Sequence, residues 1–367
     1  MTLFNQYKGA TVLVTGHTGF KGTWLCLWLK HLGANVVGIS NDVPSIPSHF
    51  SALELHNHVV DYRLDICDGE SLKTVIHKIQ PDFIFHLAAQ AIVRTSYENP
   101  METLKTNAFG TANLLDALRT LNKSVVTVMI TSDKVYDNLE WVWGYRETDK
   151  LGGKDPYSAS KGMAELVIRT FVESYFNNSS SNIRIGIARA GNVIGGGDWA
   201  KDRIVPDCVK AWSKGEVAEV RNPEATRPWQ HVLEPLSGYL TLGVSLAENR
   251  TLNGEAYNFG PTTKNSFSVQ LLIEEMEKYW GQVSWTNLSQ SKNRFYEAGL
   301  LKLNCDKALH DLHWVPTLNF SETVRMTAQW YKTFYDADIS SMYEFSMLQI
   351  VEYSKLAKKR QVDWAIV

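Results

Sequence analysis

A short β-branched segment that runs directly into three evenly spaced glycines limits what this 367-residue chain can fold into. The segment TVLVTG is typical of a buried parallel strand, and the residues after it place apolar side chains at helical spacing between Trp24 and Leu32. Glycines between a strand and a helix let backbone N–H groups approach a phosphate at the positive helix N-terminus. The spacing is GxxGxxG and not GxGxxG, so the turn alone is a weak fingerprint, but its position favours dinucleotide binding. The residues predicted to bind are Gly16, Thr18, Gly19, Phe20, Lys21 and Gly22.

The rest of the first half alternates between apolar strand-like and amphipathic helix-like segments. This order predicts an α/β fold, a Rossmann-type doubly wound parallel sheet, with a smaller C-terminal substrate-binding lobe. The pattern loosens after about Gly196 into loops, prolines and short helices. We therefore expect a cofactor-binding domain over 1–190 completed by segments from the second half, a substrate lobe mainly over 191–335, and a helical C-terminal extension over 336–367.

Composition excludes several classes of function. Lys plus Arg is 37 and Asp plus Glu is 39, so the net charge is 37 − 39 = −2, which offers no footprint for nucleic acid or an anionic membrane. There is no apolar run of the roughly 18 residues that a membrane span needs, nor a secretory leader pattern. The four cysteines are scattered, without metal-ligand spacing. A cytoplasmic protein with reduced thiols and no metal is expected.

Acidic residues after the second and third strands are the expected partners of the adenosine half of a dinucleotide. Asp42 follows the strand NVVGIS and is the candidate for the ribose hydroxyls, although a solvated loop aspartate is nearly as good an interpretation. This segment has no arginine, which favours NAD over NADP. Asp65 and Ile66 are candidates for the adenine edge. Leu87, Ala88 and Ala89, at the end of a further strand, complete the cofactor candidates.

Tyr157 and Lys161 lie four residues apart at the start of a predicted helix, so their side chains share one face. A lysine ammonium beside a phenol is expected to lower the phenol pKa from about 10 toward neutrality, which makes phenolate available as a base. Ser132, at the end of the preceding strand, can donate to the same substrate oxygen. A YxxxK pair is common by chance, but it becomes specific beside the glycine turn and this serine.

The sequence from about Thr11 to Tyr331 resembles the extended short-chain dehydrogenases/reductases, and among them the nucleotide-sugar 4,6-dehydratases. VTGHTGFKG (14–22) and DPYSASKG (155–162) are similar to the broad family. The more specific segments are ITSDKVYDNLEWVWGYRE (130–147), RAGNVIGGGDWAKDR (189–203) and RPWQHVLEPLSGYL (227–240). The resemblance implies tightly bound NAD and three steps: oxidation at sugar C4, loss of water across C5 and C6, and return of the hydride to C6.

The same resemblance assigns the residues for elimination. It implies that Asp133 protonates the leaving C6 hydroxyl and that Lys134 stands where related enzymes carry the C5 base. A lysine with a pKa of about 10.4 is a poor base at pH 7, so stabilisation of the enolate by Lys134 is the alternative. For the substrate, taken as CDP-glucose, Asn192 and Arg227 match positions that contact the diphosphate. The other substrate candidates are Gln90, Arg94, Asp198, Trp199, Arg203 and His231. Asn107 is expected to fix the helix that carries it.

Two other functions remain open at this stage. A 4-epimerase of the same fold needs Tyr157, Lys161 and Ser132 but no acid and base pair, and a non-catalytic NAD-binding scaffold needs none of them. The apolar faces of the helices at 102–121 and 157–176 predict a homodimer through a four-helix bundle, although such faces also suit ordinary core packing.

Overall fold

The computed structural model describes residues 3–178, 180–262, 267–281, 283–288, 300–336 and 341–366. Its strands, numbered along the chain, are β1 Thr11–Thr15, β2 Asn35–Ser40, β3 Val60–Arg63, β4 Phe83–His86, β5 Val125–Ile130, β6 Ile183–Ala190, β7 Val193–Ile194, β8 Ala218–Val220, β9 Thr226–Arg227, β10 Gln230–His231, β11 Ala256–Phe259, β12 Phe267–Ser268 and β13 Trp285–Asn287.

Seven of these strands form one parallel sheet in the order β11-β6-β5-β4-β1-β2-β3. From the boundary between β1 and β4 the strand order runs outward in both directions. This boundary is the topological switch point, where doubly wound sheets bind ligands. The last strand to join, β11, comes from the second half of the chain and pairs with β6. The predicted Rossmann-type fold is confirmed.

The helices cover both faces of this sheet. They are α1 Phe20–His31, α2 His49–Ala52, α3 Gly69–Ile79, α4 Val93–Glu98, α5 Pro100–Leu104, α6 Gly110–Arg119, α7 Pro156–Phe171, α8 Ile204–Trp212, α9 Leu233–Glu248, α10 Val269–Trp280, α11 Asp306–Leu312, α12 Phe320–Asp336, α13 Met342–Lys359 and α14 Asp363–Ile366. Single π-turns join α5 to α6 and extend α7, so each pair reads as one longer helix.

Local sequence explains where α7 begins. Asp155 is the N-cap, and its carboxylate accepts a 2.9 Å hydrogen bond from the backbone N–H of Ser158. Pro156 occupies the first helical position, where a missing N–H costs nothing. These two residues fix the first turn, and Tyr157 lies in that turn.

Two apolar cores lie on opposite faces of the sheet. The smaller one packs α3, α6 and α7 against the face that Leu13 and Ile84 line. The larger one packs α1, α9 and the C-terminal helices against the face that Val12 and Phe85 line. With both faces covered, the open carboxyl edge of the sheet is left for chemistry.

Beyond the sheet, the second half adds three two-stranded ribbons, β7–β10, β9–β12 and β8–β13. The segment after 336 forms α13 and α14, which pack against α1 and the turn Leu3–Tyr7. Trp364 stacks on Phe4 with a 5.1 Å centroid distance and on Tyr353 at 5.6 Å. The described helices include none that is long and apolar enough to cross a membrane.

Candidate active site

The glycine turn is as tight as its sequence requires. Gly16 has φ +74°, and a Cβ there would lie 2.7 Å from the backbone nitrogen of Ala88. A Cβ on Gly22 would overlap the carbonyl oxygen of Gly16. Only glycine permits this backbone conformation and this close approach. As a result, the start of α1 lies directly over the carboxyl ends of β1 and β4.

Among the described residues, no side chain caps the N-terminus of α1. Gly19 is the N-cap, and it makes no capping hydrogen bond because it has no side chain. The Thr18 hydroxyl donates a 2.6 Å hydrogen bond to the carbonyl of Asp42, which brings the end of β2 against the turn. A free helix N-terminus with an acid beside it suits a pyrophosphate and a ribose, so these residues fit a dinucleotide.

The other cofactor candidates follow neighbouring strands. The N–H groups of Leu87 and Ala88 donate to Thr15, at 3.1 and 3.2 Å, which holds the end of β4 beside β1. The Asp65 carboxylate accepts the N–H of Cys67 at 2.8 Å, and Ile66 packs beneath Gly110. The structure thus places these predicted residues at one edge of the sheet.

The predicted catalytic residues meet at the carboxyl end of β5. Ser132 caps a single 3₁₀ turn, Asp133–Val135, and its hydroxyl donates a 2.9 Å hydrogen bond to the carboxylate of Asp133. The same hydroxyl oxygen accepts the N–H of Lys134 at 3.2 Å and is hydrogen-bonded to the Tyr157 phenol.

Burial dominates the titration of the Tyr157 and Lys161 pair. It raises the pKa of Tyr157 to about 12, and the hydrogen bond to Ser132 opposes that rise only in part. Burial also lowers the pKa of Lys161 to about 8, against the pull of Glu165. Without bound cofactor or substrate, the phenol of Tyr157 does not have the low pKa that the sequence predicts. Desolvation of the phenolate outweighs the positive charge of Arg203.

Asp133 is held in a tight compartment, whereas Lys134 is only half-buried. The Asp133 side chain is buried, and a Cβ on Gly191 would overlap its Oδ2 atom. Gly191 follows β6, so the strand next to β5 provides the space for this carboxylate. Glycine at 191 is a residue that our sequence reasoning missed, although it lies inside the motif RAGNVIG.

Lys21, from the glycine turn, brings positive charge close to Asp133. Burial lowers the pKa of Lys21 to about 8, and the positive charges of Arg203 and Lys161 lower it further while Asp133 and Asp198 oppose them. The guanidinium of Arg203 pairs with Asp198 at 2.6 Å. Arg203 is thus a neighbour of both Lys21 and Tyr157.

Three of the substrate candidates differ in how much of each side chain is available. Asn192 has φ +26°, and its buried amide nitrogen lacks a hydrogen-bond partner among the described residues. Arg227 is buried, and its guanidinium donates to the carbonyl of Thr226 at 2.9 Å. Both the oxygen and the nitrogen of the Gln90 amide are hydrogen-bonded within the chain, to Ile92 and Thr103.

The structure does not support substrate contact by Trp199 or His231. Trp199 is 2% exposed and packs edge-on against Trp330 and Tyr331. His231 is fully buried beside Trp24, and burial lowers its pKa to about 3. Neither side chain has surface to offer a ligand, because the aromatic residues of α1 and α12 enclose both.

Positioning residues lie behind the catalytic helix. The Asn107 amide donates to Ser160 Oγ at 2.8 Å and to the carbonyl of Gln90 at 3.0 Å, which ties α7 to the loop after β4. The Ser96 hydroxyl accepts the backbone N–H of Tyr157 at 3.1 Å. The sequence singled out Asn107 only for the helix that carries it and missed Ser96, since nothing in a local pattern predicts hydrogen bonds across 53 and 61 positions.

A buried ion pair supports the same helix one turn beyond Lys161. Glu165 on α7 accepts from both Arg189 on β6, with an Nε to Oε1 distance of 2.8 Å, and the Thr131 hydroxyl at 2.6 Å. Burial lowers the pKa of Arg189, but the Glu165 carboxylate raises it more strongly, so the guanidinium keeps its charge. The geometry gives Arg189 a structural role as the partner of Glu165.

Comparison with known proteins now identifies the family. The sequence model of the GDP-mannose 4,6 dehydratase family matches residues 13–327. The chain belongs to that family. The expected membership of the extended short-chain dehydrogenases/reductases, and among them of the nucleotide-sugar 4,6-dehydratases, is therefore confirmed.

Relatives in the family differ in reaction. The chain is 45% identical over 332 residues to a CDP-glucose 4,6-dehydratase from Salmonella typhimurium, covering 89% of this chain and 92% of that protein. It is 25% identical over 349 residues to a CDP-paratose 2-epimerase from Salmonella typhi, covering 87% and 98% of the two chains. Among solved structures, an epimerase from Methanothermobacter thermautotrophicus matches with a TM-score of 0.78 at 26% identity, over 91% of this chain and 96% of that one.

Proposed function

We propose that this chain is a CDP-glucose 4,6-dehydratase, which converts CDP-D-glucose into CDP-4-keto-6-deoxy-D-glucose and water. One observation carries the proposal: Asp133 and Lys134 directly follow Ser132, and Ser132 is hydrogen-bonded to Tyr157. An acid and a base candidate thus adjoin the oxidising group. The 45% identical relative with that name supports the choice of CDP-glucose.

The cofactor that fits this site is NAD. Gly16, Gly19, Gly22 and the α1 N-terminus would hold its pyrophosphate, and Asp42 its ribose, in a segment with no arginine for a second phosphate. Structural neighbours from this fold that carry NAD agree with this assignment. When bound, NAD supplies the acceptor for the C4 hydride and the donor that returns it to C6.

Tyr157 removes the proton from the C4 hydroxyl during oxidation. Its phenol sits in a dry site where the neutral form is favoured, so the residue needs nearby positive charge to act at neutral pH. Lys161, four residues further on the same helix face, supplies that charge, and Ser132 orients the oxygen. Ser96 and Asn107 position α7 for this step.

Asp133 and Lys134 carry out the elimination. A C4 ketone acidifies the C5 proton, which Lys134 removes, while Asp133 protonates the departing C6 hydroxyl. The bond from Ser132 to the Asp133 carboxylate keeps this acid beside the sugar. Proton transfer by a positioned side chain contributes about 10²- to 10⁴-fold to such steps.

The diphosphate of the substrate lies toward the second half of the chain. Arg227 suits it because a guanidinium is always charged and binds bidentately. The unpartnered amide nitrogen of Asn192 offers a further donor. Arg203, which pairs with Asp198, adds positive charge near Tyr157.

We also propose that two copies pair through the helices 100–119 and 156–176. Their outer faces expose Met101, Phe109, Met163, Leu166 and Tyr175, of which Phe109 is 63% and Leu166 56% exposed. A second copy would bury these side chains and brace the helix that bears Tyr157. Phe109→Glu with Leu166→Glu should give a monomer in sedimentation, while Leu271→Glu on α10 should not. A wild-type monomer at micromolar concentration contradicts the pairing.

The function is tested by incubating the protein and NAD with CDP-glucose and, separately, with dTDP-, UDP- and GDP-linked sugars. Loss of one water from CDP-glucose without consumption of a reductant is expected. An unchanged mass with a new sugar NMR pattern means a 4-epimerase, the reaction of several structural neighbours. No change with any sugar rejects the roles given to Asp133 and Lys134.

A further inference from the structure

The Asp202 carboxylate lies between two arginines from different parts of the chain, of which Arg94 also pairs with Glu98 at 3.6 Å. Its Oδ1 atom is 3.2 Å from Nη1 of Arg94 and 3.4 Å from Nη1 of Arg221. Arg221 also donates to the backbone carbonyl of Asp202 at 3.4 Å. Arg94 belongs to α4, beside the sheet, whereas Arg221 follows β8 and Asp202 precedes α8, both in the second half.

Two members of this ion triad are close sequence neighbours of residues that act on Tyr157. Asp202 immediately precedes Arg203, whose charge acts on Tyr157. Arg94 lies two residues before Ser96, which accepts the backbone N–H of Tyr157. The triad therefore joins the two halves of the chain, and its members Asp202 and Arg94 lie within two positions of residues that act on Tyr157.

The backbone of Asp202 holds this carboxylate in an uncommon way. Its φ is +63°, in the left-handed region that residues other than glycine adopt rarely, and aspartate more readily than most. The side chains of the triad stay accessible: Arg94 is 50%, Arg221 55% and Asp202 28% exposed. Exposed ion pairs of this kind are weak, so an incoming anion can replace one cheaply.

We propose that Asp202 is a resident anion that holds Arg94 and Arg221 until the diphosphate of the nucleotide sugar displaces it. A diphosphate offers more acceptor oxygens and more charge than a carboxylate, and guanidinium groups bind it bidentately. Asp202 thus competes with the substrate and sets how tightly the diphosphate binds. This inference rests on the proposed function only in assuming a nucleoside diphosphate substrate.

The test compares CDP with cytidine, which lacks the diphosphate, by calorimetric titration with NAD present. Asp202→Asn should tighten CDP binding about fivefold, the scale of releasing two exposed ion pairs, and leave cytidine binding unchanged. Asp116→Asn is the matched control, because Asp116 pairs with Arg119 on the surface of α6 at 2.8 Å. That control should alter neither ligand.

A second set of variants assigns the effect to the arginines. Arg94→Gln and Arg221→Gln should each weaken CDP binding and spare cytidine. When both are combined with Asp202→Asn, the gain from the aspartate change should disappear, since no guanidinium remains to be released. Thermal unfolding of every variant shows whether the fold is retained.

Each remaining outcome decides between the two proposals. Unchanged or weaker CDP binding by a folded Asp202→Asn protein overturns the inference, as does an equal effect on cytidine. A wild-type protein that binds UDP or GDP but not CDP rejects the proposed substrate, and the same comparison is then made with that nucleotide and its nucleoside. A wild-type protein that binds no nucleoside diphosphate overturns both.

Discussion

Ser132 and Asp133 are adjacent in sequence and hydrogen-bonded through their side chains, with an Oγ to Oδ1 distance of 2.9 Å. Ser132 faces the tyrosine of the oxidation step, and Asp133 is the acid of the elimination step. One short turn after β5 therefore connects both halves of the proposed reaction.

Replacing Lys134 separates dehydration from oxidation. In Lys134→Ala, loss of water from CDP-glucose should fall by at least about 10²-fold, the usual contribution of a positioned proton-transfer group. Oxidation at C4 should continue, so reduced NAD should accumulate on the protein. Mass spectrometry and cofactor absorbance measure the two. Water loss at the wild-type rate would show that Lys134 is not the base.

A methyl group at position 191 should disturb Asp133 selectively. The Cβ of Gly191→Ala would overlap the Asp133 carboxylate, so the acid must move away from the sugar. We expect kcat for water loss to fall about 10-fold or more while KM changes little, since a displaced acid acts in the transition state. Gly260→Ala is the control, because its Cβ meets Cys305 at an ordinary 3.5 Å. Equal losses in both variants would argue against the interpretation.

The ion pair behind the catalytic helix should be far more important to stability than a surface pair. Arg189→Met leaves the buried carboxylate of Glu165 without its cation and should cost about 3–5 kcal/mol of unfolding free energy. Arg119→Met removes an exposed guanidinium with the same kind of acidic partner and should cost far less, because water and salt screen an exposed pair. Urea unfolding compares them. Similar losses of unfolding free energy in the two variants would mean that the buried pair contributes no more to stability than a surface pair.

Glu234 should make stability depend on pH. It is buried on α9, where the Tyr353 hydroxyl donates to it at 2.8 Å, and burial raises its pKa from 4.5 to about 7. The folded chain therefore keeps this proton at pH values where the unfolded chain has lost it, so stability falls as pH rises from about 4.5 to 7.

The isosteric Glu234→Gln variant removes that titration. The difference in unfolding free energy between wild type and variant should shift in favour of the variant across this interval and stay constant above it. Urea unfolding at pH values from about 5 to 8 measures the difference. A difference that does not vary with pH would contradict the assignment, because both chains share every other titrating group.

Local pattern was sufficient for much of the fold. The strand NVVGIS is β2 residue for residue, and the glycine turn lies where the sequence placed it. Such features follow from backbone geometry, period and capping, which neighbouring residues decide among themselves. The pairing of β11 with β6 was not predictable in this way, because it joins segments about 70 positions apart.

The sequence by itself determined the Rossmann-type sheet, the phosphate-binding turn and the order Ser132, Asp133, Lys134, Tyr157 and Lys161, because each depends on residue type and short spacing. Only the tertiary structure decided that Trp199 and His231 are core residues, that Arg189 serves Glu165, and that Asp202 holds two arginines. Burial and the identity of a distant partner depend on how the elements pack, and side-chain chemistry alone does not fix either.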